Sequence, residues 1–308
     1  MELQLDQLRA FVSVIDNGTF EAAARSLRVT PSAISQRMKA LEQAVGRVLV
    51  QRTKPVLATH SGETILRLAR QILLLESDAI TELGDAGVPG DGDAPTGAER
   101  YISIPIVINS DSLATWALPA LAAVPAELHV SFDVFREDQD HSTARLRDGT
   151  VMAAITSVAE PVQGCTVRPL GQMRYRPFAT PAFAARWFPR GVTAEALASA
   201  PVVIYDRSDD LQDRYLRQRA GVQAQPPKHF IPASSEFATA VRLGLSWGML
   251  PGAQSDAAER SGELIDIDPG EAIDVPLYLQ HWRLHSTLLA AVTESIVRAA
   301  ATGLRQPV

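Results

Sequence analysis

The stretch GTFEAAARSLRVTPSAISQRMKALEQAVG, residues 18–46, decides how the N-terminal part of this chain folds. Upstream of it, Leu5, Leu8, Phe11, Val12 and Ile15 recur at three- and four-residue spacing, which marks one buried helical face. Asn17-Gly18 ends that pattern, and Thr19 is placed to cap a second helix that turns Phe20, Ala23, Ala24 and Leu27 inward. Arg28-Val29 makes a turn. Thr30 then caps a third helix, with Pro31 at its first position, where a missing N–H costs nothing. In this helix Ile34, Met38, Leu41 and Val45 are spaced 4, 3 and 4 and fall on one narrow arc, so they face the core. The opposite side carries Ser32, Gln36, Lys39 and Gln43, flanked by Ala33 and Ser35.

Those residue types suit a DNA duplex. Glutamine can pair with adenine, serine with either base type, and alanine can touch a thymine methyl. Arg37 and Lys39 are better matched to phosphate. An ordinary solvated face would show the same periodicity, so charge separates the two readings. Residues 1–60 carry eight Lys/Arg against five Asp/Glu, whereas the other 248 residues carry 21 against 30. The basic excess therefore lies on the reader. Residues 48–59 follow as a short hairpin wing, from which Arg52 and Lys54 can reach the neighbouring backbone or minor groove. A plain exposed loop is the alternative for both.

The run Phe20-x-Ala-Ala-Ala-x-x-Leu-x-Val-Thr-Pro-Ser-Ala-Ile-Ser35, with the wing and Thr59-His60-Ser61-Gly62 behind it, resembles the LysR-type transcriptional regulators. Val50-Gln51 departs from that pattern, because many members carry an aromatic residue and an arginine there. The resemblance implies a winged helix-turn-helix over residues 1–59 and double-stranded DNA as partner.

From Thr59 to about Leu83 the chain reads as one long helix. Ile65, Leu68, Ile72, Leu75 and Ala79 alternate by three and four, a coiled-coil seam. Such a helix cannot bury that stripe within a small domain. Dimerisation is the simplest outlet, and packing on the chain's own second domain is the alternative. A dimer would set two recognition helices on a pseudo-palindromic site. Residues 60–84 are thus the linker and dimerisation helix. Gly84 to Gly97 holds five glycines and two prolines with no apolar period, so residues 85–98 form a hinge.

Composition narrows the rest. The chain is 46% hydrophobic with net charge −6, which disfavours unspecific coating of nucleic acid by the whole molecule. No run of 18 apolar residues is present, and Glu2 and Asp6 in the first residues do not fit a secretion signal. The expected compartment is cytoplasmic, with no membrane partner. A single cysteine, Cys165, allows no intramolecular disulfide and reads as a packing residue. The six histidines show no metal-ligand spacing, and no cofactor is expected. There is no glycine-rich phosphate loop and no connected Ser/His/Asp set, so an enzyme is not expected either. An effector-independent architectural DNA-binding protein remains the alternative to a ligand-switched regulator.

Residues 99–308 alternate strand and helix patterns: Ile102–Ile108, a helix over Leu113–Leu121, Leu128–Val134, a helix over Thr143–Arg147, then Val151–Ile155. This βαβαβ order predicts a parallel sheet with helices on both faces. Ligands of such sheets sit beyond strand carboxyl ends, at helix N-termini. The first such place is Asn109-Ser110-Asp111-Ser112, where free N–H groups and hydroxyls can hold a carboxylate. Thr156-Ser157 ends a neighbouring strand. Tyr205-Asp206 and Ser234-Ser235-Glu236 follow two later ones. Each serine could equally be a plain helix cap. Asp111, Asp206 and Glu236, with the acidic loop Glu137-Asp138-Gln139-Asp140, suit a ligand that is a carboxylate at one end and a cation at the other; the alternative is that they are surface loop charges, which is the preferred reading for 137–140 taken singly. Lysine and arginine have that shape.

The run Asn109-Ser-Asp-Ser-Leu-Ala-Thr-Trp-Ala-Leu-Pro-Ala-Leu121, with Ser-Ser-Glu at 234–236, is similar to the branch of LysR-type regulators that activates lysine and arginine export. That resemblance implies an α/β protein: the winged helix-turn-helix, the linker helix, then a two-lobed effector domain like the periplasmic binding proteins. Lobe I would span about 99–165 and 269–308, and lobe II about 166–268. It further implies a homodimer or dimer of dimers, L-lysine or L-arginine as effector, and action with RNA polymerase at an exporter promoter.

Overall fold

The computed structural model describes residues 3–82, 101–136, 139–221 and 224–306. The hinge read at 85–98 and the acids Glu137 and Asp138 lie outside them. Helices α1 (Leu5–Asn17), α2 (Phe20–Ser26) and α3 (Pro31–Val45) form the reader. Thr19 Oγ1 accepts from the Ala22 N–H at 3.1 Å, and Thr30 Oγ1 from the Ala33 N–H at 3.2 Å, so both threonines cap as their positions predict. Gly18 and Gly46 end α1 and α3 in the left-handed region, at φ 70° and 72°. Leu8, Phe11, Val14, Ile34, Met38 and Leu41 make the buried core between them. Strands β1 (Val50–Gln51) and β2 (Leu57–Ala58) pair antiparallel as the wing.

Helix α4 (His60–Glu82) leaves the reader at a close approach: a Cβ on Gly62 would lie 2.1 Å from the Leu49 carbonyl oxygen, so only glycine fits. The expected seam divides here. Ile65 is buried in the reader core with Leu66 and Ala69, and Ile72 packs partly against the same core. The reader thus covers Ile65 and part of Ile72, because the apolar stripe is wide enough to reach it. Leu68 (37% exposed), Leu75 (39%) and Ile80 (56%) stay open, with Ala79 beside them. On the other face Leu74 enters the core of the second domain. Asp78 Oδ1 accepts from the Leu288 N–H at 3.2 Å and from Thr287 Oγ1 at 3.1 Å.

Arg70 bonds to both the reader and the second domain. Arg70, 6% exposed, donates to Asp16 of α1 and, through Nη1, to the carbonyls of Gly149 (2.5 Å) and Thr150 (2.6 Å).

The second domain begins with β3 (Ile102–Ile108). The expected helix over 113–121 is instead composite: α5 (Ser110–Ser112), a π-helical turn (Leu113–Ala117) and α6 (Leu118–Ala122). Next come β4 (Val130–Arg136), α7 (Gln139–Arg147) and β5 (Ala153–Thr156), with β4 and β5 both parallel to β3. The long β6 (Cys165–Ala179) leads to α8 (Pro181–Trp187), α9 (Ala194–Ser199), β7 (Val202–Ile204) and α10 (Leu211–Ala220). β8 (Lys228–Phe230), α11 (Ser234–Arg242), β9 (Gly248–Pro251), α12 (Gly252–Ser261) and β10 (Ile265–Asp266) follow. β11 (Ile273–Trp282) and α13 (Thr287–Gly303) close the chain.

The sheet is mixed, not wholly parallel as the βαβαβ order suggested. Its order is β10-β6-β11-β5-β3-β4, with β9 also on β6, and both β6 and β11 run antiparallel to their neighbours. These two strands are shared by the lobes. β11 pairs with β5 through Tyr278–His281, while the far end of β6 pairs with β9 and β10. The passage between lobes carries a register shift at Leu277/Tyr278, opposite Gly171 at φ 130°.

Candidate functional site

The exposed side of α3 presents Pro31, Ser32, Ser35, Gln36 and Lys39, with Thr30 at its start and Ala33 half-buried. Ile34, Met38 and Leu41 occupy the inward arc that their spacing predicts. Arg37 is half-buried and paired within the reader. Its Nη2 donates to Asp6 Oδ2 at 3.0 Å, so its charge is already engaged by α1. In the wing Lys54 is exposed, and the Arg52 guanidinium lies over the Phe20 ring, 5.8 Å from its centroid.

The second site is a cavity of about 390 Å³ between the lobes. Five predicted residues line it: Asn109, Ser110, Asp111, Tyr205 and Asp206. β3 delivers the first three at its carboxyl end and β7 the other two. Ser110 Oγ and Tyr205 OH lie 2.6 Å apart, a contact from one lobe to the other. Asp111 is bonded on both of its carboxylate oxygens. Its Oδ2 accepts from Tyr175 OH and its Oδ1 from Ser234 Oγ, each at 2.6 Å. Gln254 Nε2 donates in turn to Ser234 Oγ at 2.8 Å. Burial, and then the adjacent Asp111 carboxylate, hold the Tyr175 phenol far above its ordinary pKa, so it is a fixed donor.

The Tyr205–Gln212 segment forms the opposite wall. Asp206 Oδ1 accepts from the Ser208 N–H (2.7 Å), Ser208 Oγ (2.6 Å) and the Asp209 N–H (3.1 Å), which folds the turn. Asp209 accepts from the Tyr205 and Leu211 N–H groups at 3.1 and 3.0 Å. Its carboxyl is nevertheless pushed up, first by burial and further by the Asp111 and Asp206 charges, against the lowering effect of those two hydrogen bonds.

Several predicted ligand residues lie elsewhere. Ser112 is fully buried behind the helix start. Thr156 is buried and caps its own turn, accepting from the Val158 N–H at 3.2 Å, and Ser157 beside it is likewise outside the cavity lining. Ser234 acts through Asp111. Ser235 and Glu236 are exposed on the first turn of α11, where helical rotation carries them away from Ser234. Sequence reasoning missed Tyr175, Asp209, Gln212, Arg214 and Gln254, all in the lining. The Asp209-Asp210 pair before α10 was the available signal. Cys165 is buried, and burial raises its thiol pKa to about 11, which fits packing and not reactivity.

A helix-turn-helix with an open polar face, joined through a long helix to a two-lobed domain around a polar cleft, defines a DNA-binding regulator with its own small-molecule sensor. Comparison with known proteins agrees with this. Residues 5–63 match the model of the bacterial regulatory helix-turn-helix proteins of the lysR family, and residues 105–301 match the LysR substrate binding domain. The chain belongs to the LysR family of transcriptional regulators and is not an enzyme.

It is 44% identical to the HTH-type transcriptional regulator LysG of Mycobacterium tuberculosis over 303 residues, covering 98% of this chain and 95% of the relative. The crystal structure of ArgP from Mycobacterium tuberculosis has a TM-score of 0.82 at 41% identity, over 98% of both chains. Full-length LysG from Corynebacterium glutamicum with bound effector Arg has a TM-score of 0.73 at 38% identity, over 98% of this chain and 99% of that one. No helix among the described residues is long and apolar enough to cross a membrane.

Proposed function

We propose that this regulator senses a basic amino acid, L-arginine or L-lysine, in the cleft between its lobes, and that binding changes how it holds promoter DNA. The observation that carries this reading is the polarity of the cavity. Asp111, Asp206, Asp209 and Asp210 line it, and among the described residues Arg214 is the one basic residue in the lining. A lining rich in acceptors calls for a ligand rich in donors. The N-terminus of α5 at Ser110 supplies free N–H groups for the ligand's carboxylate. The bound arginine of the Corynebacterium relative supports the same class. Closure follows from differential affinity for the closed arrangement of the lobes.

The DNA contacts belong to Thr30, Pro31, Ser32, Ala33, Ser35, Gln36 and Lys39 on α3 and to Arg52 and Lys54 on the wing, with Arg37 recruited only if it releases Asp6. Leu68, Leu75 and Ala79 supply a homodimer contact in this reading, and two dimers can combine into a tetramer. The working organisation is reader 1–59, linker helix 60–84, hinge 85–98 and effector domain 99–308, with lobes as the sequence suggests. The protein acts in the cytoplasm with RNA polymerase and needs no cofactor. Its target is the promoter of an amino-acid exporter, and its effect there is activation.

Titration calorimetry with L-arginine, L-lysine, L-leucine and an aromatic acid tests the ligand class. Heat with the two basic amino acids alone is expected, and heat with the aromatic acid alone rejects the class. On the DNA side, Gln36→Ala is expected to cost about 1–3 kcal/mol at one operator position and to relax specificity there. An unchanged footprint and affinity profile would remove Gln36 from the reading face.

A further inference from the structure

The cleft holds several carboxylates, and hydrogen-bond accounting separates their roles. Asp111 already receives Tyr175 and Ser234, one on each oxygen, and so joins the start of α5 to α11 across the lobes. Asp206 spends one oxygen on three donors of its own turn. Asp210 is exposed. Asp209 differs from all three. It is inside the cavity wall, its two backbone donors are neutral, and the charges acting on it, Asp111 and Asp206, are both negative. Arg214 lines the same cavity, and among the described residues no ion pair joins it to Asp209.

Three residues further on, in the first turn of α10, Gln212 lines the same cavity. It is 1% exposed, yet its Oε1 has no hydrogen-bond partner among the described residues. A buried acceptor left unmet costs about 1–3 kcal/mol, so its retention calls for a donor brought from outside. Asp209 and Gln212 together offer a carboxylate that lacks a counter-charge and a neutral acceptor that lacks a donor. A guanidinium or an ammonium satisfies both at once, since each carries several N–H donors and a positive charge.

We infer that Asp209 and Gln212 receive the distal cation of the ligand, while Asp111 latches the lobes together. This rests on the reading of the cleft as a basic amino-acid site. Tyr175 and Ser234 hold Asp111 in place, and the start of α10 reads the far end of the ligand side chain. Gln212 is then the residue that determines specificity for a charged terminus over a neutral one, because a neutral apolar terminus leaves Oε1 buried and unmet.

Calorimetry on the full-length protein with L-arginine, L-lysine and L-norleucine tests this. Gln212→Met, a swap of similar shape that removes the acceptor, is expected to weaken arginine and lysine by about tenfold or more. Asp209→Asn is expected to weaken them on the order of a hundredfold. Gln212→Glu restores an acceptor at that place and is expected to bind both at least as tightly as the wild type, a rescue that a merely structural role would not give. Arginine binding by both Gln212→Met and Asp209→Asn within about twofold of wild type overturns the assignment while leaving the basic amino-acid reading intact. If Gln212→Met shows no cooperative melting, Gln212→Glu decides, and a loss of arginine affinity there overturns the assignment. Wild-type protein that gives heat with neither arginine nor lysine overturns both.

Discussion

The reader and the sensor cleft solve opposite problems. The α3 face proposed to read DNA comes from one helix of 15 residues, and its polar side is open. The cleft is assembled from strand ends far apart in sequence: Ser110 meets Tyr205 across 95 positions, and Asp111 meets Ser234 across 123. Ser110, Asp111 and Asp206 are paired within the protein before any ligand arrives, while Asn109 Oδ1 and Gln212 Oε1 have no partner among the described residues. A surface that scans many DNA sequences gains from free hydrogen-bonding groups that water serves until a base replaces it. A cleft that must reject nearly all small molecules gains from groups already committed, because a wrong ligand then breaks more bonds than it makes. Local pattern therefore builds the first site, and long-range topology builds the second.

The most severe way to break this comparison is to remove the reader's core. Phe11→Ala is expected to cost about 3–5 kcal/mol in the reader, because the ring is wholly buried. DNA binding should be lost while calorimetric arginine binding persists, since the cleft sits in a separate core. Loss of both together would show that the two halves do not fold as distinct units. A smaller effect is expected in the cleft. Tyr175→Phe removes one donor to the Asp111 carboxylate and should lower the stability of the ligand-free sensor by about 1–3 kcal/mol, read by chemical denaturation. Arginine affinity should fall with it, and unchanged values in both assays would mean that the latch does not act as a unit. The smallest effect falls at the reader's own start. Thr30→Ala deletes the cap of α3 and should cost about 1 kcal/mol, with DNA affinity declining and the arginine heat unaltered.

How far each site could be read in advance follows from the same contrast. The inward arc of α3 was legible because its spacing is a property of one helix, and both caps were legible because a threonine before a helix acts on its nearest N–H groups. The α/β character of the second domain was legible in the alternation of apolar runs. Its mixed sheet was not, because nothing in Val275–Gln280 says which strand it will lie against. Asn109 to Asp111 and Tyr205-Asp206 were found because strand ends are where such clefts form. Tyr175 escaped since it lies within a strand run that reads as core, and Gln212 since one amide at the start of a charged helix looks like surface. Ile65 and Ile72 teach the converse. A seam spacing shows that a stripe is covered, not by whom.

The Arg70 junction has a mechanical meaning. A single buried guanidinium grips a half-exposed carboxylate on α1 and two carbonyls of the turn at 149–150. A bond lost there leaves the buried guanidinium short of a partner, which is costly. Rotation of that turn must then either sacrifice the grip outright or drag α1 with it, which makes the joint behave as a stiff lever, not a loose tether.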